Sequence, residues 1–380
     1  MGRPLTMALL GLFMALGTSS QLYAQRMQPI SYEDLLSRVE ALESDAAANY
    51  EAAAQHDSGC GSNESCCCNP CAVRGGFFAS YESVILQPHF SHNEAFSIFD
   101  SILNIPEDVT IIEFDWDFEY TPRIEVGYII PCSGLGWRAR YWHFDHNTSL
   151  RADDPDPAIG RIEVGLHDDP DIEVSTGNNE FVLATHSLKL DVVDLEMMMR
   201  QNLPCCEVTV SGGLRYLRMD QNYRAEFTNI NTGVIDDIIT SNHTFEGIGP
   251  TFAVEGVRHL GAPCWSLFSK LRGSVIFGDS GLEQARIDPQ TPAAPLRDFV
   301  TGSNSMDVLF IGEVQLGVRY ERCLSGCMLF FATVAAEAQY WPSGGSATNQ
   351  NGEDSDGHGN DPRDTDMGFF GVSAAAGVNW

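Results

Sequence analysis

The sequence predicts an all-β protein: a transmembrane antiparallel β-barrel of about 10–12 strands. Long segments alternate apolar and polar residues with a period of two, which places one face of a strand against lipid and the other in the lumen. Every second connection between these segments is short, and the others are long and polar. After the first 24 residues, no stretch approaches the roughly 18 consecutive apolar residues of a transmembrane helix.

Residues 1–24 have the parts of a secretory signal peptide. Arg3 precedes the apolar run PLTMALLGLFMALG, and Leu22-Tyr23-Ala24 forms a plausible cleavage point. We therefore expect the mature chain to be exported.

Residues 25–73 are expected to form a short helical and cysteine-rich segment in the periplasm. Leu35, Val39 and Leu42 share one face of a helix. An amphipathic helix and the remnant of a trimerising coiled coil both fit, because a single heptad does not distinguish them.

The remaining residues, 74–380, are predicted to form the barrel. Strand-like runs lie at roughly 74–90, 110–130, 135–146, 181–200, 207–224, 244–259, 263–278, 307–321, 327–342 and 367–380. Tight connections lie at 131–136, 203–206, 260–264 and 322–327, and long polar ones at 91–109, 147–180, 225–243, 279–306 and 343–366. Ten strands put both termini at the short-turn, periplasmic end. The segment RIEVGL in the second long loop could add a hairpin and make the number twelve.

The longest alternating stretch, residues 112–130, predicts what the strands face. Its even positions from Ile112 to Ile130 are apolar, whereas the odd positions are mostly charged. Soluble strands usually run only about five or six residues, and a long apolar strand at the edge of a soluble sheet invites aggregation. We therefore expect lipid against the apolar face, since barrel closure leaves no backbone group unpaired.

Charged side chains on the opposite faces are predicted to line a pore. The candidates are Glu113, Asp115, Asp117, Glu119, Arg123, Glu125, Arg215, Lys270, Arg272, Glu313, Arg319 and Glu337. Carboxylates predominate among them, so we expect a modest cation preference, partly offset by pairing across the lumen. The net charge of −30 excludes a nucleic-acid-binding role, which needs a basic surface.

The eleven cysteines are predicted to gather at the periplasmic end and to form disulfides there. Zinc is disfavoured because Cys68-x-x-Cys71 lacks a second pair and an exported protein favours disulfides. An odd number leaves one thiol free or bonded to another molecule. The candidates are Cys60, Cys66, Cys67, Cys68, Cys71, Cys132, Cys205, Cys206, Cys264, Cys323 and Cys327.

Catalytic and metal motifs are incomplete, and we expect no enzyme activity. Gly278-Asp279-Ser280-Gly281 imitates a serine-protease motif, but no base segment accompanies it. His143 and His146 fall on opposite strand faces, so they cannot share a metal. The acidic loops 147–180 and 343–366 predict at most weak binding of divalent cations, with no dedicated metal site and no cofactor.

The C-terminal strand and several internal blocks resemble a known family. Alternation runs from Phe370 to Trp380 and ends on an aromatic residue, like the signal that outer-membrane barrels present to their assembly machinery. The stretches LDVVDLEMMMR (190–200), SGGLRYLRM (211–219), FEGIGPTFAVEGVRHLG (245–261) and SLFSKLRGSVIFG (266–278) resemble the pore-forming family typified by the Legionella major outer membrane protein. The resemblance implies a porin of the bacterial outer membrane, with outer-membrane lipids and the barrel assembly machinery as partners.

Two functions follow from these observations. We favour a porin-like channel for passive diffusion of small solutes or ions. The alternative is a structural envelope protein, cross-linked by disulfides at its periplasmic end to a second copy or to another envelope protein.

Overall fold

A computed structural model describes residues 75–100, 108–131, 133–153, 160–165, 173–177, 179–203, 206–260, 264–290, 296–324, 328–348 and 365–380. The expected signal peptide and the periplasmic segment at residues 25–73 lie outside the described residues. Within the described ranges, no helix is long and apolar enough to cross a bilayer. The strands are β1 (Gly76–Phe90), β2 (Glu94–Asp100), β3 (Asp108–Glu113), β4 (Glu119–Ile129), β5 (Leu135–Asp153), β6 (Gly160–Gly165), β7 (Glu173–Ser175), β8 (Glu180–Leu203), β9 (Cys206–Asn229), β10 (Ile235–His259), β11 (Trp265–Ile287), β12 (Leu296–Cys323), β13 (Leu329–Trp341) and β14 (Met367–Asn379).

Ten strands close into an antiparallel barrel, which confirms the predicted fold class. Their order is β1-β14-β13-β12-β11-β10-β9-β8-β5-β4, and β4 pairs with β1 to complete the circle. Residues 161–165 of the RIEVGL segment do not enter the barrel wall. They lie in β6, which belongs to a separate small sheet of order β3-β2-β6-β7, so the twelve-strand alternative is wrong.

The predicted strand at 110–130 is two strands separated by an irregular segment. β3 belongs to the small sheet, and β4 belongs to the barrel. Between them Phe114 and Trp116 are buried in the apolar core. Alternation alone did not show the break, because Phe114 and Trp116 are in phase with the lipid-facing residues of β4.

Five strands are far longer than a bilayer requires. β8 to β12 contain 23 to 28 residues each. At ~3.3 Å per residue and a tilt of ~40°, such a strand rises about 60 Å, whereas the apolar band of a barrel is about 25 Å tall. The predicted loops 225–243 and 279–306 are therefore mostly strand, and only 230–234 and 288–295 connect β9–β10 and β11–β12. Pairing the extensions satisfies their backbone hydrogen bonds where polar composition alone had indicated loops.

An apolar belt covers the outward face of the barrel. On β12 and β14, for example, Phe310, Leu316, Phe370 and Val372 are each more than half exposed. Such exposure would be costly in water over so large a surface, whereas lipid solvates it. The last residue, Trp380, is also half exposed, as the C-terminal alternation predicted.

Candidate functional site: a charged cluster in the barrel lumen

Charged side chains from nine of the ten barrel strands meet at one level of the lumen. We call this set the lumen cluster; β14 supplies no charged member. Its six cations are Arg123, Arg138, Arg140, Arg215, Lys270 and Arg272, and its seven carboxylates are Glu82, Glu125, Asp194, Glu196, Glu255, Glu313 and Glu337. They converge because each lies at an inward-facing position of the period-two alternation.

Asp194 on β8 is the centre of the cluster. Its carboxylate accepts hydrogen bonds from Arg215 Nε at 2.6 Å, Arg140 Nε at 2.9 Å and Arg272 Nη1 at 3.1 Å. Arg140 and Arg215 also donate to Glu313 on β12. Five charges from five strands thus form one network, and none of the five side chains is more than 8% exposed.

A second group lies toward β1 and β13. Arg123 donates from Nη2 to Glu337 Oε1 at 2.8 Å and from Nη1 to Glu337 Oε2 at 3.1 Å, the two-pronged geometry that guanidinium and carboxylate favour. The same Nη1 reaches Glu82 at 3.0 Å. Gln315 and Gln339 donate to Glu337 at 2.6 and 2.7 Å. These contacts hold β1, β4, β12 and β13 together across the lumen.

A third group lies on β5, β8, β10 and β11. Arg138 donates to Glu196 and Glu255, and its Nη2 donates to Ser211 at 2.8 Å. Lys270 Nζ lies 3.1 Å from Glu255. Across the three groups, each of the six cations of the lumen cluster has a carboxylate partner. Charges that are removed from water require such pairing.

An apolar level lies next to the lumen cluster, toward the long loops. Trp142, Phe144, Trp341 and Phe369 pack with ring centroids 5.3–6.5 Å apart. The guanidinium of Arg123 lies 5.5 Å from the ring of Trp142, at the boundary between the two levels. This packing explains why Arg138 and Arg140 are in phase with Trp142 and Phe144 along β5: all four face the lumen.

Two segments from the long-loop end complete the apolar level. Phe114 and Trp116 enter with Asn93, whose Oδ1 lies 3.1 Å from His186 Nδ1. The segment 344–348, which follows β13, is also buried there, and Thr348 Oγ1 lies 3.5 Å from Asn93 Oδ1. The amide of Gln221 donates to the Gly345 carbonyl and accepts from the Ala347 N–H, both at 3.1 Å.

Gly345 is required where this second segment turns inward. Its φ is +78°, a conformation that favours glycine. A Cβ there would lie 2.4 Å from the ring of His243. The lumen is consequently filled by charged side chains at one level and by apolar side chains at the next.

The predicted pore-lining residues divide into those inside and those outside the wall. Seven belong to the lumen cluster: Arg123, Glu125, Arg215, Lys270, Arg272, Glu313 and Glu337. Arg319 faces the lumen nearer the short turns, 2.8 Å from Glu321 and over the ring of Phe331. Glu119 pairs with His146 at 3.0 Å where β4 begins.

Three predicted residues do not face the lumen. Glu113, Asp115 and Asp117 are exposed, because Phe114 and Trp116 between them occupy the inward positions. Placing these three carboxylates in the lumen was an error that followed from treating 110–130 as one strand.

Six members of the cluster were absent from the predicted set. They are Glu82, Arg138, Arg140, Asp194, Glu196 and Glu255. The sequence did contain a signal for Arg138 and Arg140. They share a strand face with Trp142 and Phe144, and charged residues on the same face as aromatic ones indicate a lumen with a charged level and an apolar level. Asp194 and Glu196 alternate with outward Val193, Leu195 and Met197, a pattern visible once the register of β8 is known.

Metal-binding candidates are dispersed in the described part of the chain. No group of three or more His, Cys, Asp and Glu side chains there could hold a metal ion. His143 faces outward and lies 3.0 Å from Asp191, while His146 faces inward. Loop 343–366 is described only at its two ends.

Three of the eleven cysteines lie in the described residues. Cys206, Cys264 and Cys323 are all at the short-turn end, beside the β8–β9, β10–β11 and β12–β13 connections. The other eight fall outside the described residues. The disulfide pairing therefore stays a prediction.

The family of the chain follows from comparison with family models. A model described as the Legionella pneumophila major outer membrane protein precursor matches residues 69–372. The chain belongs to this family. Membership in the Legionella major outer membrane protein family identifies an outer-membrane β-barrel, in agreement with the resemblance noted in the sequence.

Comparison with curated protein sequences gives no significant match. Among solved structures, the outer membrane protease OmpT from Escherichia coli is 9% identical with a TM-score of 0.41, covering 82% of this chain and 99% of that chain. A Pseudomonas aeruginosa FadL homologue is 7% identical with a TM-score of 0.22, covering 79% and 90%. The P. putida toluene transporter TodX is 7% identical with a TM-score of 0.19, covering 81% and 91%. Similarity at this level carries no argument about function.

Proposed function

We propose that this member of the family is a gated, cation-preferring channel of the outer membrane, closed in the conformation described here. The lumen cluster carries the proposal. Buried ion pairs are often no more stabilising than apolar side chains of the same volume. If the barrel needed only a filled interior, apolar side chains throughout the lumen, like those of the apolar level, would stabilise it at least as well. Charged residues at membrane depth are by default candidates for an ion pathway.

The charge balance of the cluster favours cations. Seven carboxylates oppose six cations, and acidic side chains attract cations into a narrow lumen. Exposed carboxylates at the long-loop end, among them Asp115 and Asp117, add to the negative potential at the entrance. The preference is expected to be modest because most lumen carboxylates are paired.

Opening requires a change at both levels. The Arg123–Glu337 pair is the link between them, because Arg123 contacts Trp142 of the apolar level and Glu82 of the cluster. Weakening this pair should let the apolar level separate from the cluster and admit water. Asn93, Phe114, Trp116 and segment 344–348 would have to move as well, since they are buried on the long-loop side of the lumen cluster.

Planar-bilayer recording tests the proposal. The wild-type protein should show infrequent openings, and Glu337→Gln should open more often because it replaces the two-pronged ion pair with a weaker hydrogen bond. The matched control is Glu283→Gln, which changes an exposed glutamate of β11. Reversal potentials in a tenfold KCl gradient should show cation preference. Absence of openings in both wild type and Glu337→Gln, or anion preference, contradicts the proposal.

A structural envelope barrel is the second candidate. Its supporting observation is the filled lumen together with three described cysteines at one end. A protein of this kind would conduct no ions in any variant that retains the fold. Loss of a disulfide-linked higher-mass species on reduction, combined with electrically silent bilayers, would favour it over the channel.

A further inference from the structure

On β5, β8, β9, β10 and β11, the apolar belt stops sharply at its edge toward the long loops. Its last outward side chains there are cross-strand neighbours on five consecutive strands: Tyr141, Val193, Tyr216, Ile248 and Phe277. The next outward positions are all polar or charged, and they too are neighbours: His143, Asp191, Arg218, Glu246 and Asp279. The edge of the lipid band is therefore defined to within one pair of residues on each of these strands.

Tyrosine hydroxyls mark this edge. Tyr141 donates to Asp191 at 2.7 Å, and Tyr216 donates to Glu246 at 2.8 Å. Tyrosine prefers the membrane–water interface because its ring is apolar and its hydroxyl is polar. These contacts place the carboxylates at the depth where lipid headgroups begin.

Basic side chains cluster on the same side. Consider the described side chains of the barrel wall that face outward between the belt and the long loops. Every Lys and Arg among them lies on β5, β8 or β9, which are neighbouring strands. They are Arg151, Lys189, Arg218 and Arg224. The described outward faces of the other strands have no cation at this end, so the barrel presents one basic column.

Two members of the column lie at headgroup depth or within side-chain reach of it. Two residues along a tilted strand rise about 5 Å, so Arg218 lies about 5 Å beyond Tyr216 and Lys189 about 10 Å beyond Val193. Arg224 and Arg151 lie about 20 and 25 Å beyond the last apolar residue of their strands. The headgroup region on each side of the hydrocarbon is only about 5–8 Å thick. Arg218 and Lys189 can reach it, and the other two cannot.

Both cations can exchange their protein partners for a ligand. Arg218 is paired with Asp220 at 3.0 Å and is 56% exposed, and Lys189 is 3.3 Å from Asp145 and 49% exposed. Exposed pairs of this kind contribute little to stability. The nearby Asp191 and Glu246 are already engaged by tyrosines, which reduces their repulsion of an anion.

We propose that Arg218 and Lys189 bind the phosphate group of an outer-membrane lipid, with Tyr141 and Tyr216 packed against the top of its acyl chains. A phosphorylated lipid satisfies both parts of the surface, since its anionic headgroup meets the cations while its hydrocarbon meets the belt. Inorganic phosphate would use only the first part and should bind far more weakly.

Native mass spectrometry of the detergent-purified full chain tests this site. Diphosphoryl lipid A is titrated in the presence of EDTA, so that divalent cations cannot bridge it to carboxylates. A discrete lipid adduct is expected on the wild type. The Arg218→Gln/Lys189→Gln variant should bind at least about 5-fold more weakly, because each cation near a membrane surface contributes about 1 kcal/mol, which is a factor of about five.

Matched variants and ligands separate the alternatives. Arg151→Gln and Arg224→Gln change the same exposed column above headgroup depth and should alter lipid binding by less than about 2-fold. Retained heat-modifiable mobility on gels shows that each variant is folded. Equal lipid binding by the double variant and the wild type would overturn the proposal. Displacement of the lipid by inorganic phosphate at the same phosphate concentration would also overturn it. Loss of the wild-type lipid adduct in EDTA would do the same.

Discussion

Buried charges in the lumen depend on one another more than on any single strand. Asp194 accepts from three arginines, and Glu313 accepts from two of the same three. Removing one partner of such a network leaves the others buried without full compensation. This makes the cluster more sensitive to substitution than any exposed ion pair of the barrel.

We predict that Asp194→Asn destabilises the protein by about 3–5 kcal/mol, the range for removing one partner of a buried pair. The amide keeps the shape of the side chain but no longer balances Arg140, Arg215 and Arg272. The free energy of unfolding in urea, measured in lipid vesicles, checks this. Asp153→Asn is the control, because Asp153 pairs with Arg151 on the exposed surface and its loss should cost about 0–1 kcal/mol. Similar effects of the two substitutions would contradict the buried network.

A second residue-scale prediction concerns Glu94 in the small sheet. Burial, and to a lesser extent the charge of Glu113 opposite it, raise the pKa of Glu94 to about 7 from its ordinary value of 4.5. The folded state therefore binds more protons than the unfolded state between these two values, so the stability of β2 and β3 falls as pH rises through this window. The loss is complete only once the pH is well above 7, where Glu94 is ionised in both the folded and the unfolded state.

Hydrogen exchange of the β2 amides, corrected for intrinsic rates, measures this effect. Protection should be greater at pH 5 than at pH 8. Glu94→Gln should remove most of the difference, whereas Asp117→Asn, at an exposed carboxylate outside the sheet, should leave it unchanged. A pH-independent profile in the wild type would show that Glu94 does not titrate in this range.

At the scale of the strand, alternation was a reliable guide to the lipid face. The outward residues of β4 and β14 were predicted correctly because period two follows from backbone geometry alone. Alternation could not show where β3 ends and β4 begins, since Phe114 and Trp116 are equally apolar against lipid and against the core. Nor could it find the ends of β10, β11 and β12 that lie toward the long loops, where both faces of each strand change composition beyond the membrane.

Depth along a strand should determine the cost of a charge. Met197 faces outward near the middle of the belt on β8 and is 68% exposed, whereas Ser187 faces outward on the same strand beyond the belt. Met197→Arg should destabilise the folded protein by about 2–4 kcal/mol and Ser187→Arg by about 0–1 kcal/mol. Unfolding in vesicles measures both. Equal costs would place the lipid band elsewhere on β8.

At the scale of the whole molecule, an even number of strands brings Gly76 and Trp380 to the short-turn end. We predict that this end faces the periplasm and that the long strand extensions face outward. An epitope tag inserted after Thr232, in the β9–β10 turn, should be stained by antibody on intact cells. A tag at the C-terminus should be stained only after permeabilisation. The reverse pattern would invert the topology.

The cysteines give a second whole-molecule prediction. Disulfide geometry needs Cα atoms within about 7 Å, which neighbouring turns at one barrel end can meet. We expect the cysteine-rich segment to be stapled to the short turns, with the odd thiol bonded to a partner chain. Non-reducing gels should then show a faster-migrating monomer and a disulfide-linked species, with bridges identified by mapping. Alkylation of all eleven cysteines without prior reduction would exclude the staple.

The sequence by itself determined the barrel, the lipid face and the positions of the short turns, because each depends on local alternation and on residues adjacent in the chain. Seven of the lumen charges were also predictable, since any charged residue opposite a lipid-facing one points inward. Only the tertiary structure decided that these charges are paired rather than lining an open pore. Asp194 and Glu313 are more than one hundred residues apart, and whether they share Arg215 depends on strand stagger and barrel diameter. The inward entry of Phe114, Trp116 and segment 344–348 has the same cause. Their burial is stabilised by apolar surfaces that exist only after the ten strands have closed.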